Sequence, residues 1–281
     1  MHTTMSDGTD TPEELIAQVR EAGIDLFSVT DHDSMKGGTV MPRLLDNLDT
    51  EQRPSFIRGV EFSCKDSLGK YHILGYGYDP EIPGIGEVVS KGHALRMKKT
   101  RSRLAFLKER FGFEFPEEEI QELLAQDNPG KPHVAKLMVK YGYAETVRDA
   151  ITNYINKKEF ENVHVSPQDA IDGIVRSGGI PVLAHPSFGD GDDLITGDEL
   201  EARVKRLMEF GLAGVEAFYS SFKPLHQNEN LALAEKYDLF VTAGSDYHGK
   251  NKKVLIGTTN LEDLADAPDG MERFLETVEI L

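Results

Sequence analysis

Apolar positions recur along this chain in two rhythms, and the rhythms take turns. In the stretch from Thr11 to Gly23, Leu15, Ile16 and Val19 fall at helical spacing. Thr11 is placed to cap that helix and Pro12 suits its first turn. Glu14 stands where a capping box needs an acid, and Gly23 ends the pattern. "DLFSVT", "SFIRGVEF" and "KYHILGYGY" read as strands, the last with period-two alternation. "GIPVLAHP", "LAGVEAFY" and "DLFVTAGSDYH" read as three more, with helical patterns such as "SPQDAIDGIVRSG" and "DELEARVKRLMEFG" preceding them. Strands alternating with helices predict parallel strands joined by crossovers, and this many units suggest an α/β barrel.

From about Glu87 to Val165 the strand rhythm stops and only helical patterns remain. The stretch is long for a connection, so it predicts an inserted helical subdomain over 87–165 within a barrel formed by 1–86 and 166–281. One segment of it, "RMKKTRSRLAFLKER", is strongly basic. Met97, Leu104, Leu107 and Phe111 form an apolar stripe there, with Arg96, Lys99 and Arg103 beside it. Those cations fit either a solvated helix face or the lining of an anion pocket.

Charge and composition narrow the function. The 281 residues carry a formal charge of −17, which argues against an extended groove for duplex DNA. No apolar run reaches the ~18 residues of a membrane span, and no signal pattern opens the chain. The expectation is a cytoplasmic protein that does not act at a membrane. The single cysteine, Cys64, excludes an internal disulfide and any paired-cysteine zinc motif, and it reads as a buried, inert thiol.

Histidines and acids gather where strand patterns end. "LFSVT" runs into Asp31, His32 and Asp33, "FIRGV" into Glu61, "GIPVLA" into His185, and "LFVTAG" into Asp246 and His248. His72 lies inside its strand. Asp246 and His248 are two apart, so in an extended chain both face one side. In parallel barrels these strand ends converge on the active site. Unpaired buried polar groups cost several kcal/mol each, so collecting this many in one mouth makes sense if cations satisfy them. Imidazole and carboxylate donors together suit Mn, Fe or Zn.

The combination "HTT-SDG-TPEEL", "TDHD", "GVEFS", "HILGY", "LAHP" and "GSDYHG" resembles the PHP family, named for polymerase and histidinol phosphatase. "KPHVAKLMVKYGY" within a helical insertion is similar to the stand-alone, TrpH-like branch. The resemblance implies a distorted (β/α)7 TIM-like barrel with two or three divalent metal ions at its mouth. Carried over by position, His2, Glu61 and Asp246 hold one metal, and Glu61, His72 and His185 a second. Asp7, His32 and His248 hold a third. The implied activity is hydrolysis of phosphomonoesters of nucleotides by a hydroxide bridging two metals. The substrate is then a small phosphorylated molecule, a 3′,5′-nucleoside bisphosphate or a short RNA 5′ end. Histidinol phosphate, or a binding module of impaired activity, are the alternatives. Lys131 and His133 are the candidate phosphate contacts, with His133 also a candidate donor to the leaving oxygen or else a helix cap. The branch's usual Arg-Pro-His is here Lys131-Pro132-His133, which keeps the charge but not a bidentate fork. The family's His-x-His motif retains only His2, and its first strand reads as truncated. Either the start was assigned inside the motif or one ligand is lost. The cost of an exposed strand edge favours the first.

Overall fold

The computed structural model describes all residues except 127–128, 160–163, 189–193 and 262–263. The chain divides into two compact units, Met1–Val89 with Val165–Leu281, and Ser90–His164.

The first unit is built on a six-stranded sheet of β1 (Leu26–Val29), β2 (Ser55–Asp66), β3 (Gly69–Tyr76), β4 (Ile180–Leu183), β5 (Gly214–Tyr219) and β6 (Phe240–Gly244). The strands lie in that order across the sheet. β1 pairs parallel with β2, and β4, β5 and β6 are mutually parallel. The expectation of an all-parallel sheet is corrected at β3, which runs antiparallel to both neighbours. The reason is local. Only Ser67 and Leu68 separate β2 from β3, and a two-residue connection can join only antiparallel strands. Asp66 accepts the Leu68 N–H in that turn, and Gly69 leaves it at φ 140.

Helices cover the strands: α1 (Pro12–Glu21) and α2 (Lys36–Leu45) near the start, α7 (Pro167–Arg176) and α8 (Gly197–Glu209) later, then α9 (Pro224–Lys236) and α10 (Asp269–Thr277). α1 begins with the full capping box, the Thr11 side chain accepting from Glu14 N–H while the Glu14 carboxylate accepts from Thr11 N–H. Its buried Leu15, Ile16 and Val19 pack with Phe27, Val29, Met41 and Phe56 of the neighbouring elements. Each fully buried side chain of this size contributes roughly 1.5–3 kcal/mol of transfer free energy.

The two sheet edges are joined at one end by the first residues. His2 N–H donates to Tyr247 O at 2.8 Å, just beyond β6, and Thr30 N–H, just beyond β1, donates to Met1 O at 2.9 Å. This places His2 between the strand ends that carry His32 and His248.

In the second unit, most of α3 (Pro83–Phe111) is followed by α4 (Glu117–Leu124), α5 (Lys131–Lys140) and the short α6 (Val147–Asp149). No strand occurs among its described residues. Leu104 and Leu107 of α3 are buried against Leu123, Val134, Leu137, Met138 and Ile155, with Met97 and Phe111 partly buried beside them.

Candidate metal centre

Parallel backbone pairing brings the segment after β1 against β2. Glu61 N–H donates to Asp31 O, and Asp33 N–H to Glu61 O. His32 is thereby set opposite Glu61. Glu61 does not end its strand, as the sequence pattern suggested. β2 continues to Asp66, and Glu61 pairs with Leu74 while Ser63 pairs with His72. The hairpin carries both side chains to the mouth because it extends past the neighbouring strands.

Five imidazoles and three carboxylates meet there. His2 Nε2 lies 3.1 Å from Glu61 Oε2 and 3.3 Å from Asp246 Oδ1. His72 Nδ1 lies 2.6 Å from Glu61 Oε1, and His185 Nε2 lies 3.6 Å from the same oxygen and 3.2 Å from His72 Nδ1. Asp7 Oδ1 is 3.2 Å from His248 Nε2, and Asp7 Oδ2 is 4.0 Å from His32 Nε2. The rings of His2 and His248 stack at 3.9 Å. Three groups of donor atoms each fall within 4.8 Å: His2, Asp7, His32 and His248; His32, Glu61 and His72; and His2, Glu61 and Asp246. His2 and His32 each belong to two of these groups, a sharing that position in the sequence could not reveal.

The donors fit cations better than they fit one another. Both ring nitrogens of His2, Nδ1 of His32 and Oε1 of Glu61 are buried and make no hydrogen bond of acceptable geometry among the described residues. Close approach without hydrogen-bond geometry is the arrangement expected of atoms aimed at a common ion. His248 is oriented likewise. Its Nδ1 lies 2.8 Å from the carbonyl of Asp246, and its Nε2 faces Asp7 Oδ1 in the cluster at 3.2 Å.

The titratable groups act strongly on one another. Burial opposes a charge on His2, but Asp246 and Glu61 outweigh it and raise its pKa to about 9. Burial drives His32 down to about 3 despite Glu61. Burial also opposes ionisation of Glu61, yet His32, His72, His185 and His2 hold it well below the usual carboxylate range. These opposed shifts mark a packed set of titratable groups of the kind found at functional sites.

The backbone is strained at the same place. His185 and Asp246 adopt φ 31 and φ 53, in the left-handed region. The extended chain assumed between Asp246 and His248 is therefore corrected: β6 ends at Gly244 and the backbone leaves the extended conformation at Asp246.

Several residues that support the cluster were given no role by the sequence reading. Asp31 is fully buried and accepts from Thr3 N–H and Thr3 Oγ1 at 2.8 Å and from Ser6 Oγ at 2.7 Å. It ties down the loop that bears His2 and Asp7. Tyr219 and Lys252 hold Asp246 Oδ2 at 2.9 and 2.5 Å. Glu216, buried in β5, was detectable as the one acid within the apolar run "LAGVEAFY". Lys131 and His133 belong to the second unit and are absent from the three donor groups. Lys131 Nζ donates to Asn156 Oδ1 at 2.7 Å, and His133 Nδ1 accepts the Gly130 N–H at 3.1 Å, capping α5.

A family model for the PHP domain matches residues 1–165, more than half of the chain. The chain belongs to the PHP family. It is 30% identical over 90% of its length to phosphoribosyl 1,2-cyclic phosphate 1,2-diphosphodiesterase of Eggerthella lenta, covering 94% of that protein. It is 27% identical to 3′,5′-nucleoside bisphosphate phosphatase of Chromobacterium violaceum, over 88% of this chain and 85% of that one. A solved structure from Bifidobacterium adolescentis, named as a metal-dependent phosphoesterase, shares 25% identity with a TM-score of 0.74. That match covers 99% of this chain and 94% of the other. By its likeness to these phosphoesterases the chain is a phosphoesterase, and its histidine and carboxylate cluster is the candidate metal centre.

Proposed function

We propose that this PHP protein hydrolyses phosphomonoesters of nucleotides, with 3′,5′-nucleoside bisphosphates and short RNA 5′ ends as its substrate class. The observation that carries the reading is the set of buried donor atoms on His2, His32 and Glu61 with no hydrogen-bond partner among the described residues, in the midst of five further His, Asp and Glu side chains. The C. violaceum relative, named for the same class of ester, supports the choice of substrate.

In this reading two or three divalent ions, Mn, Fe or Zn, are held by His2, Glu61 and Asp246, by Glu61, His72 and His185, and by Asp7, His32 and His248. Such ions supply Lewis acidity and positive charge to phosphoryl oxygens and to attacking water. The protein's own part is to hold donors rigidly. Asp31 anchors the loop of His2 and Asp7, and Tyr219 and Lys252 fix one oxygen of Asp246. Lys131 and His133 are proposed as phosphate contacts. With Nδ1 accepting from Gly130 and burial lowering its pKa, His133 is neutral with an N–H at Nε2, suited to donate to a phosphate or leaving oxygen.

The fold is proposed as a distorted (β/α)7 barrel with an inserted helical subdomain. β1 and β6, the two sheet edges, line one cavity of about 490 Å³ that also reaches His2, Glu61 and His185. No helix among the described residues is long and apolar enough to cross a membrane, and the protein is proposed to act in the cytoplasm on small substrates.

Phosphate release tests the proposal. Protein loaded with Mn²⁺ is given a nucleoside 3′,5′-bisphosphate, a short 5′-phosphorylated RNA, a cyclic ribose phosphate and histidinol phosphate. The expected result is a kcat/KM at least ten-fold higher for the first or second. Preference for either of the other two would replace the proposed substrate class.

A further inference from the structure

β5 lies between β4 and β6 in the sheet. β4 leads to His185, whose Nε2 lies 3.6 Å from Glu61 Oε1, and β6 leads to Asp246 and His248; neither His185 nor any residue of β5 is among the three donor groups. Its inward acid is Glu216, 5% exposed. The register pairs Leu183 with Val215, which sets Glu216 level with Ala184, one residue short of His185. A β-bulge follows at once, between Glu216 and Phe218, and bulges re-aim the side chains beside them.

The re-aimed carboxylate reaches sideways. Glu216 Oε2 accepts the backbone N–H of His185 at 2.8 Å. His185 needs such a hold. Its left-handed φ of 31 is uncommon for any residue other than glycine, and its carbonyl is held separately by the Phe188 N–H. A second observation shows that room has been made for this contact. Residue 244 on β6 is glycine, and a Cβ there would fall on Glu216 Oε1. Gly244 is not among the positive-φ residues, so the need it meets is space.

We infer that Glu216 is a positioning residue for the metal centre: by holding the His185 backbone in its strained turn, it directs that imidazole at Glu61 and His72. The carboxylate acts on the metal through His185 and binds no ion itself. The inference rests on the metal-centre reading and adds to it a residue outside the donor set.

Metal uptake by the purified chain tests it, with Mn²⁺ binding followed calorimetrically and thermal unfolding of the metal-free proteins recorded alongside. Glu216→Ala is expected to weaken binding about 10–100-fold, the usual cost of losing support behind a ligand. Glu216→Gln keeps an acceptor oxygen and is expected to stay within about three-fold of the parent. In a His185→Ala background, Glu216→Ala is expected to change nothing more, because contributions made through one side chain do not add. Gly244→Ala crowds the carboxylate while leaving its charge, and is expected to weaken binding with the same dependence on His185. It decides the matter if Glu216→Ala does not fold. Equal binding by parent and Glu216→Ala would overturn the inference. So would a Gln variant as weak as the Ala variant, which would make the charge itself the ligand, or a full extra loss in the His185→Ala background. A parent protein that takes up no Mn²⁺ would end the metal-centre reading and this inference together.

Discussion

The Tyr219 phenol donates to Oδ2 of Asp246 at 2.9 Å, while Oδ1 of the same carboxylate lies 3.3 Å from His2 Nε2. One oxygen is therefore anchored and the other presented. Lys252 shares the anchoring at 2.5 Å but is 41% exposed, so water and salt screen its contribution. Tyr219→Phe is expected to raise the Mn²⁺ concentration needed for half-maximal activity about ten-fold, within the range for lost support behind a ligand. Lys252→Met should raise it less. A larger effect at Lys252 would show that its charge acts on substrate instead.

Asp31 bears three hydrogen bonds from Thr3 and Ser6 with no exposure to water. Removing it strands buried donors, each costing ~1–3 kcal/mol. Asp31→Ala should lose about 2–4 kcal/mol in urea unfolding. Asp31→Asn, which keeps one acceptor oxygen, should lose less. Metal binding should weaken in both, because the loop of His2 and Asp7 is released. Wild-type unfolding in Asp31→Ala would remove its anchoring role.

Ions that bind only the folded chain stabilise it by mass action, about 2.7 kcal/mol at a hundred times Kd. For a protein of this size that corresponds to roughly 5–10 °C in Tm. Thermal scans in EDTA and in excess Mn²⁺ should differ by that amount, and activity should vanish in EDTA. Identical scans would count against a metal centre.

Lys131→Ala should lower kcat/KM about ten-fold or more, since a charge-assisted phosphate contact contributes ~1.5–3 kcal/mol. His133→Ala should do likewise and also destabilise, because it removes the cap on the Gly130 N–H. If neither variant changes kcat/KM, both residues leave the substrate site.

Cys64 is 2% exposed, and burial, aided by Asp33 and Asp169, pushes its thiol well above the ordinary 9.0. The folded protein should resist iodoacetamide at pH 8 and react fully in urea. The linked stability has a definite sign. Above about pH 9 the unfolded thiol ionises while the folded one stays protonated, so the unfolded state binds fewer protons and stability falls. Below that pH the contribution is fully present. A Cys64→Ala variant should show a shallower decline in urea midpoint between pH 8 and 10.

Local sequence determined the elements of this protein. Thr11, Pro12 and Glu14 specify a helix start through contacts spanning three residues, and "KYHILGY" specifies a strand, although its alternation ends at Ile73, beyond which Leu74, Gly75 and Tyr76 are all buried. The placement of His32, His185, Asp246 and His248 after strand patterns was legible too, because strand ends follow from turn residues close by in sequence. What the sequence could not show is direction and distance. That β3 runs backwards, that β2 carries Glu61 past its neighbours, and that residues 2 and 247 are hydrogen-bonded all depend on how the sheet closes. Asp31 and Glu216 look like ordinary acids until Thr3 and His185 arrive against them from 28 and 31 residues away. The physical reason is range. Helix caps and strand periodicity are set by neighbours along the chain, whereas a shared ligand set, a buried carboxylate's partner and a strained backbone angle are set by contacts that exist only once the sheet has formed.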